Sequence, residues 1–361
     1  MKNTMMFATV AALGIAAFAG PARAAEPFRP AERWRGFNLM EMFQWDAELP
    51  KPIYRESDFR FMKENGFNFV RLPIDYRFFT HGGDWKKIDE AWVEPVDRAI
   101  ALGGKYGIHV QVCLHRAPGY CVNRCDLEPK RLFGEEAAAE ARKVFADYWT
   151  FFAKRYKDLP NERVSFDLVN EPPDIPEEPY VDGVKDAIAA IRAVSPDRLV
   201  FSDGRNCGNI PTHKLAGDPN LAQAMRGYLP MSVSHYMAHW VTLPDDTPVW
   251  PLPAEGPKAK YDDPGLDWLY KNNFKAWDDL AAKGVFVMMG EFGIYNRTDH
   301  ATALRTLEDN LKLLKERNWG WALWNLRGDF GPLDSCRGDV PYEDVDGHRI
   351  DRKMLELLKK Y

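Results

Sequence analysis

Beyond its first two dozen residues, the chain has no apolar run long enough to span a bilayer. It also has no excess of basic charge. Its 48 Lys and Arg stand against 53 Asp and Glu, for a formal net charge of −5, and no basic stripe marks a nucleic-acid surface. There are five cysteines in 361 residues. None falls in a Cys-x-x-Cys pair or in Cys/His spacing that would argue for zinc. No glycine-rich turn follows the first predicted strand, so the usual sign of a doubly wound nucleotide-binding sheet is missing. No repeat, composition shift or low-complexity linker divides the chain.

What is present begins with an export signature. Lys2 is followed by the apolar stretch Met5–Ala19 and then Ala22-Arg23-Ala24. Small residues at Ala22 and Ala24 fit cleavage before Ala25. Residues 1–24 are therefore expected to be a signal peptide and residues 25–361 one catalytic domain, exported to periplasm or medium. Export permits disulfides. Cys121, Cys125, Cys207 and Cys336 fall in predicted loops and are expected to be structural thiols or one loop-pinning bridge. Cys113 lies within a predicted strand, as a buried free thiol. Aromatics reach 13%, with 12 Trp, which suggests stacking surfaces as well as core.

Eight apolar segments read as strands: Arg35–Met40, Phe67–Pro73, Ile108–His115, Val164–Glu171, Leu199–Gly204, Met231–Tyr236, Val285–Glu291 and Trp319–Asn325. Helical patterns cover about 56–65, 89–106, 135–156, 181–194, 267–283, 302–318 and 352–360. The strands are apolar on both faces, as parallel strands buried between layers must be. This alternation predicts a single-domain α/β fold, a (β/α)8 TIM barrel. A Pro-rich loop near Leu243–Pro264 is expected to form a cleft wall. Asp344-Val345-Asp346-Gly347 is faintly like a calcium loop but lacks EF-hand spacing, and reads as a solvated turn.

Awkward residues gather at the carboxyl ends of these strands. Arg71, His115, Asn170, Glu171, His235, Tyr236, Glu291 and Trp324 all lie there, and in such a barrel those ends meet at one face. The fourth strand stops abruptly at Asn170-Glu171 because Pro172 and Pro173 cannot continue a central strand. Glu171 and Glu291 end strands four and seven, which face each other across the mouth. Two carboxylates in one cleft are the equipment of glycoside hydrolysis, with retention or inversion set by their separation.

Asn170-Glu171-Pro172 resembles the acid/base motif of glycoside hydrolase family 5, the cellulase-like family of retaining barrel enzymes. Gly290-Glu291-Phe292-Gly293 resembles its nucleophile motif. Arg71, His115, His235 and Trp324 match its other site positions, and the similarity runs from about Arg35 to the C-terminus. The resemblance implies Glu291 as nucleophile and Glu171 as acid/base. Arg71 would keep Glu291 ionised, Asn170 would bond the sugar 2-hydroxyl, and Trp324 would floor the sugar. His115 and His235 would bind hydroxyls or orient the carboxylates. Asn38, on strand one, is a further candidate, and no cofactor or metal is implied. Trp45, Trp240 and Trp250, in loops, are candidates for further subsites.

One departure concerns strand six. Many members carry His-x-Tyr there, with the tyrosine hydroxyl on the nucleophile, whereas this chain has His235-Tyr236. Adjacent strand residues face opposite sides. Tyr236 would need a bulge to take that role, and Tyr295 is the fallback. The exit Trp324-Asn325-Leu326-Arg327 also differs from the Trp-Glu ending of typical cellulases. The expected activity is endo-β-1,4-glucanase on an oligo- or polysaccharide, by a monomer, with a mannanase or another β-glycosidase of the family as the alternative. A metal-dependent barrel hydrolase would want histidine on strand one, where only Asn38 is offered. A carbohydrate-binding relative without catalysis would be expected to lack one of the glutamates.

Overall fold

Eight parallel strands close on themselves in the computed structural model, which describes residues 27–244, 246–252 and 259–361. The barrel strands are β1 (Arg35–Asn38), β2 (Phe69–Asp75), β3 (His109–Ala117), β4 (Val164–Asp167), β5 (Val200–Asp203), β6 (Leu221–Gly227), β7 (Val287–Phe292) and β8 (Gly320–Leu323). Each pairs in parallel with the next, and β1 pairs with both β2 and β8, which closes the ring. Closure removes every edge that would expose unpaired backbone groups. The predicted leader lies outside the described residues. Among the described residues no helix is long and apolar enough to cross a membrane.

Two apolar compartments hold the fold. Inside the barrel, Trp34, Phe69, Phe201, Ala222, Ala224, Met288 and Ala322 form one buried cluster. Outside it, the helices 56–64, 94–106, 139–155, 177–194, 300–316 and 352–360 bury their apolar faces against the strands. The helix over Glu94–Tyr106 stops at Gly107, whose left-handed φ of 66° suits glycine. All five cysteines are free thiols, Cys113 buried among them.

The sixth strand is not where the sequence pattern put it. Met231–Ser234 is a short helical turn, and β6 is Leu221-Ala222-Gln223-Ala224-Met225-Arg226-Gly227. That segment has no β-branched residue and reads locally as helix-forming. Its place is decided by volume: Ala222 and Ala224 are small enough to sit beneath Trp34 and Phe201 within the barrel. The Asp344–Gly347 stretch is the tip of a small antiparallel hairpin, Glu343–Val345 with His348–Ile350. Asp346 and Gly347 are both left-handed there, as a tight hairpin turn requires.

Candidate active site

A register shift in β7 aims the central carboxylate. Met225 pairs with Met289 but Arg226 pairs with Glu291, and on the other flank Met289 pairs with Trp321 but Phe292 with Leu323. Gly290 and Glu291 therefore lie in a bulge, a device that re-aims side chains next to sites. Glu291 is buried, with a side chain 3% exposed. Its Oε1 accepts from Arg71 Nη1 at 2.5 Å and lies 3.3 Å from Arg226 Nη2. Its Oε2 accepts from the Tyr228 hydroxyl at 3.1 Å.

Arg71, fully buried on β2, is a hub. Nε donates to Asp167 at 2.8 Å, Nη1 to Asn38 at 3.1 Å, and Nη2 to Asn170 Oδ1 at 2.8 Å and Cys113 Sγ at 3.0 Å. Asn38 in turn donates to the Gly290 carbonyl at 3.1 Å, tying β1 to the bulge. Asn170 Oδ1 also accepts from Arg226 Nη2 at 2.9 Å. Guanidinium groups only donate, so the Asn170 oxygen must face them. Its amide nitrogen, buried and without a partner among the described residues, is left to donate elsewhere.

Glu171 follows directly in a left-handed backbone with φ 47°. That conformation costs a non-glycine residue and collects at functional sites. Two bonds hold it: its N–H donates to Asp203 Oδ2 at 2.9 Å, and its carbonyl accepts from the Tyr120 hydroxyl at 2.7 Å. The side chain, 15% exposed, lies 3.2 Å from Arg226 Nε. Burial first, and then the negative charge of Glu291, push the Glu171 carboxyl up to about 8, against the pull of Arg226. Asp167, deeper in the barrel, is pushed up to about 6 by burial and by Asp203.

An aromatic wall surrounds the carboxylates. Trp324, after β8, stacks on His115 with centroids 5.6 Å apart, and Phe43 meets both edge-on. The Trp324–Asn325 peptide is cis. Burial keeps His115 neutral, well below the ordinary imidazole range. On the other side Tyr228, His235, Trp240, Tyr295 and Phe330 form a second group of rings. Trp240 is its exposed member, 42% accessible.

The structure gathers Asn38, Arg71, Asn170, Glu171 and Glu291 into one hydrogen-bonded network, with His115 and Trp324 stacked on each other. His235 lies one ring away, 4.9 Å from Tyr228, and is depressed to about 4 by burial. It caps the helical turn Met231–Ser234 rather than ending a strand. Tyr236 makes no hydrogen bond to either glutamate; the hydroxyl on Glu291 is that of Tyr228. Tyr295, the fallback, packs on Trp240 and Phe330. Trp250 is buried and donates to Asp309 on an outer helix, away from the mouth. Part of the predicted cleft wall, 245 and 253–258, lies outside the described residues.

Arg226, Tyr228, Asp203 and Asp167 were not singled out from the sequence. Their signal was there: Arg226-Gly227-Tyr228 has the period-two spacing of His-x-Tyr, with arginine in place of histidine, and Asp203 closes strand five. The misplaced sixth strand hid it. Among the described residues no group of three or more His, Cys, Asp or Glu is arranged to hold a metal.

Comparison with known proteins agrees with this fold. Endoglucanase C of Acetivibrio thermocellus is 26% identical over 312 residues, covering 81% of this chain and 89% of that protein. A crystal structure of a glycoside hydrolase is 36% identical with a TM-score of 0.83, covering 91% of this chain and 99% of the other. Thermotoga maritima Cel5A, solved in complex with mannotriose, shares the fold at 21% identity and a TM-score of 0.69, covering 90% of this chain and 97% of that one. Residues 24–329 match the cellulase family. With its barrel closed and its strand-end residues converging on one mouth, this chain belongs to glycosyl hydrolase family 5.

Proposed function

We propose that the chain is an exported, retaining endo-β-1,4-glucanase in which Glu291 is the nucleophile and Glu171 the acid/base. The observation that carries this reading is the split environment of the two carboxylates. Glu291 faces two guanidiniums, Arg71 and Arg226, and accepts from the Tyr228 hydroxyl. Glu171 is pushed up to about 8 and holds a proton at neutral pH. A carboxyl pushed up by its surroundings beside a second carboxylate is the arrangement an acid/base group needs.

The chemistry follows in two displacements. The Glu291 carboxylate attacks the anomeric carbon as the glycosidic C–O bond breaks, and Glu171 gives its proton to the leaving oxygen. The resulting glycosyl ester carries no charge on Glu291. The second cause of the raised Glu171 value is then gone, and Glu171 becomes a base. It takes a proton from a water that attacks the anomeric carbon and frees Glu291. The Asn170 amide nitrogen, without a partner among the described residues, would donate to the sugar 2-hydroxyl, a contact that tightens in the transition state. Trp324 offers a flat apolar face for the ring. Endoglucanase C, matched by this chain over 89% of its length, supports a glucan substrate.

The test is intact-mass measurement after brief exposure to a 2-deoxy-2-fluoro cellobioside with a good leaving group, beside Glu291→Ala. An adduct on Glu291, absent in the variant, is the expected outcome. Hydrolysis of that sugar without an adduct would mean inversion or another nucleophile, and would sink the assignment. Neither adduct nor hydrolysis would sink the glucan reading, with the mannobioside counterpart then deciding for a mannan enzyme.

A further inference from the structure

Arg226 is held in a cradle built for it. A Cβ on Gly208, itself left-handed at φ 78°, would meet Arg226 Cγ at 2.4 Å, and a Cβ on Gly290 would meet its Nη1 at 2.8 Å. One glycine makes room for the stem and the other for the head. The guanidinium is buried and forks across four acceptor side chains. Nη1 donates to Asp203 Oδ1 at 3.1 Å, Nη2 to Asp203 Oδ2 and to Asn170 Oδ1, Nε reaches Glu171, and Nη2 also lies near Glu291. Asp203 closes the circuit, because the oxygen that takes Nη2 also takes the backbone N–H of Glu171.

We propose that Arg226 and Asp203 form a positioning pair that holds the two glutamates at a set spacing and decides which of them keeps a proton. The proposal rests on Glu291 as nucleophile and Glu171 as acid/base. Arg226 alone, 3.2 Å from Glu171, would favour the ionised form and disarm the acid. Asp203 saturates the other edge of the guanidinium, so the arginine can fix the Glu171 oxygen without stripping its proton.

The surrounding charges make the balance sensitive. Facing Arg226 are the carboxyls Asp167, Glu171, Asp203 and Glu291 and the second cation Arg71. The other titratable neighbours stay neutral: burial lowers the His115 imidazole and raises the Cys113 and Cys207 thiols and the Tyr228 phenol. Two cations thus oppose four carboxyls, and removing either member of the pair shifts the proton on Glu171 in a defined direction.

The experiment is the pH dependence of kcat/KM for the full chain on an activated aryl β-cellobioside or β-mannobioside, whichever it hydrolyses. Asp203→Asn removes a negative neighbour of Glu171 and frees Arg226 to pair with it. The alkaline limb is expected to move down by about one pH unit or more. Arg226→Met is expected to move it up. Arg226→Lys keeps the charge but cannot fork, so the limb should stay near its place while kcat falls about 100-fold. A limb unmoved in both Asp203→Asn and Arg226→Met overturns the proposal. Should Arg226→Met fail to fold, the Glu171 signal of the full chain carrying 13C-labelled glutamate carboxyls, assigned with Glu171→Gln, is titrated with and without Asp203→Asn. A lower midpoint in the variant supports the pair, and an unchanged midpoint overturns it. This titration needs no turnover. An adduct on a residue other than Glu291 would instead remove the nucleophile assignment while leaving the titration informative.

Discussion

Glu171 and Glu291 share one cation: Arg226 reaches Glu171 through Nε at 3.2 Å and Glu291 through Nη2 at 3.3 Å. Their surroundings still differ, because Glu291 also contacts the Arg71 guanidinium and the Tyr228 phenol, while the Glu171 carboxyl contacts Arg226 alone of the two guanidiniums and faces the charge of Glu291.

The first expectation is a rate profile that falls on the alkaline side. On the proposed assignment Glu171 acts as acid only when protonated, and its carboxyl is pushed up to about 8. kcat/KM should therefore decline as pH rises through about 8, as the free-enzyme value dictates. A profile flat to pH 9.5 would contradict the assignment of Glu171.

Stability should move with the same group. The folded value lies above the ordinary carboxyl value of 4.5. The folded state thus holds a proton that the unfolded chain has released, and stability falls as pH rises from about 4.5 through about 8. Glu171→Gln removes that penalty. Its Tm is expected to exceed that of the unmutated chain by a few degrees at pH 8 and by little at pH 4. The same variant should lose about 10²–10⁴-fold in turnover of an unactivated substrate. Differential scanning calorimetry at the two pH values separates the outcomes.

Tyr228 and Tyr236 are distinguished by one atom each. Tyr228→Phe deletes the hydroxyl on Glu291 and should lower kcat by about 10-fold or more while Tm stays within about 2 °C, since one net hydrogen bond contributes roughly 1 kcal/mol. Tyr236→Phe should leave kcat near that of the unmutated chain. The reverse ranking would place the working hydroxyl on Tyr236.

Arg71 is structural as well as electrostatic. Arg71→Met leaves Asp167 and Glu291 buried without their shared cation. Breaking such a pair costs about 3–5 kcal/mol, so the urea midpoint should fall sharply and activity should vanish. A variant as stable as the unmutated chain would show that Arg226 alone satisfies the buried carboxyls.

What local pattern determined is the alternation itself. Long amphipathic helices and continuous apolar strands encode a two-layered barrel through burial on both strand faces, and polar residues at strand ends then point to one mouth. That pattern alone puts Arg71, Asn170, Glu171 and Glu291 at one rim. The Ala222–Gly227 segment could not be placed this way, because its strand character comes from the small volume the barrel interior allows there and not from the propensity of its residues. With it went Arg226 and Tyr228, and with them the sixth strand's share of the site. The left-handed Glu171, the bulge that aims Glu291 and the glycine cradle around Arg226 are likewise tertiary decisions. Each depends on a backbone or side chain far away in sequence: Asp203 and Tyr120 for the first, β6 and β8 for the second, Gly208 and Gly290 for the third.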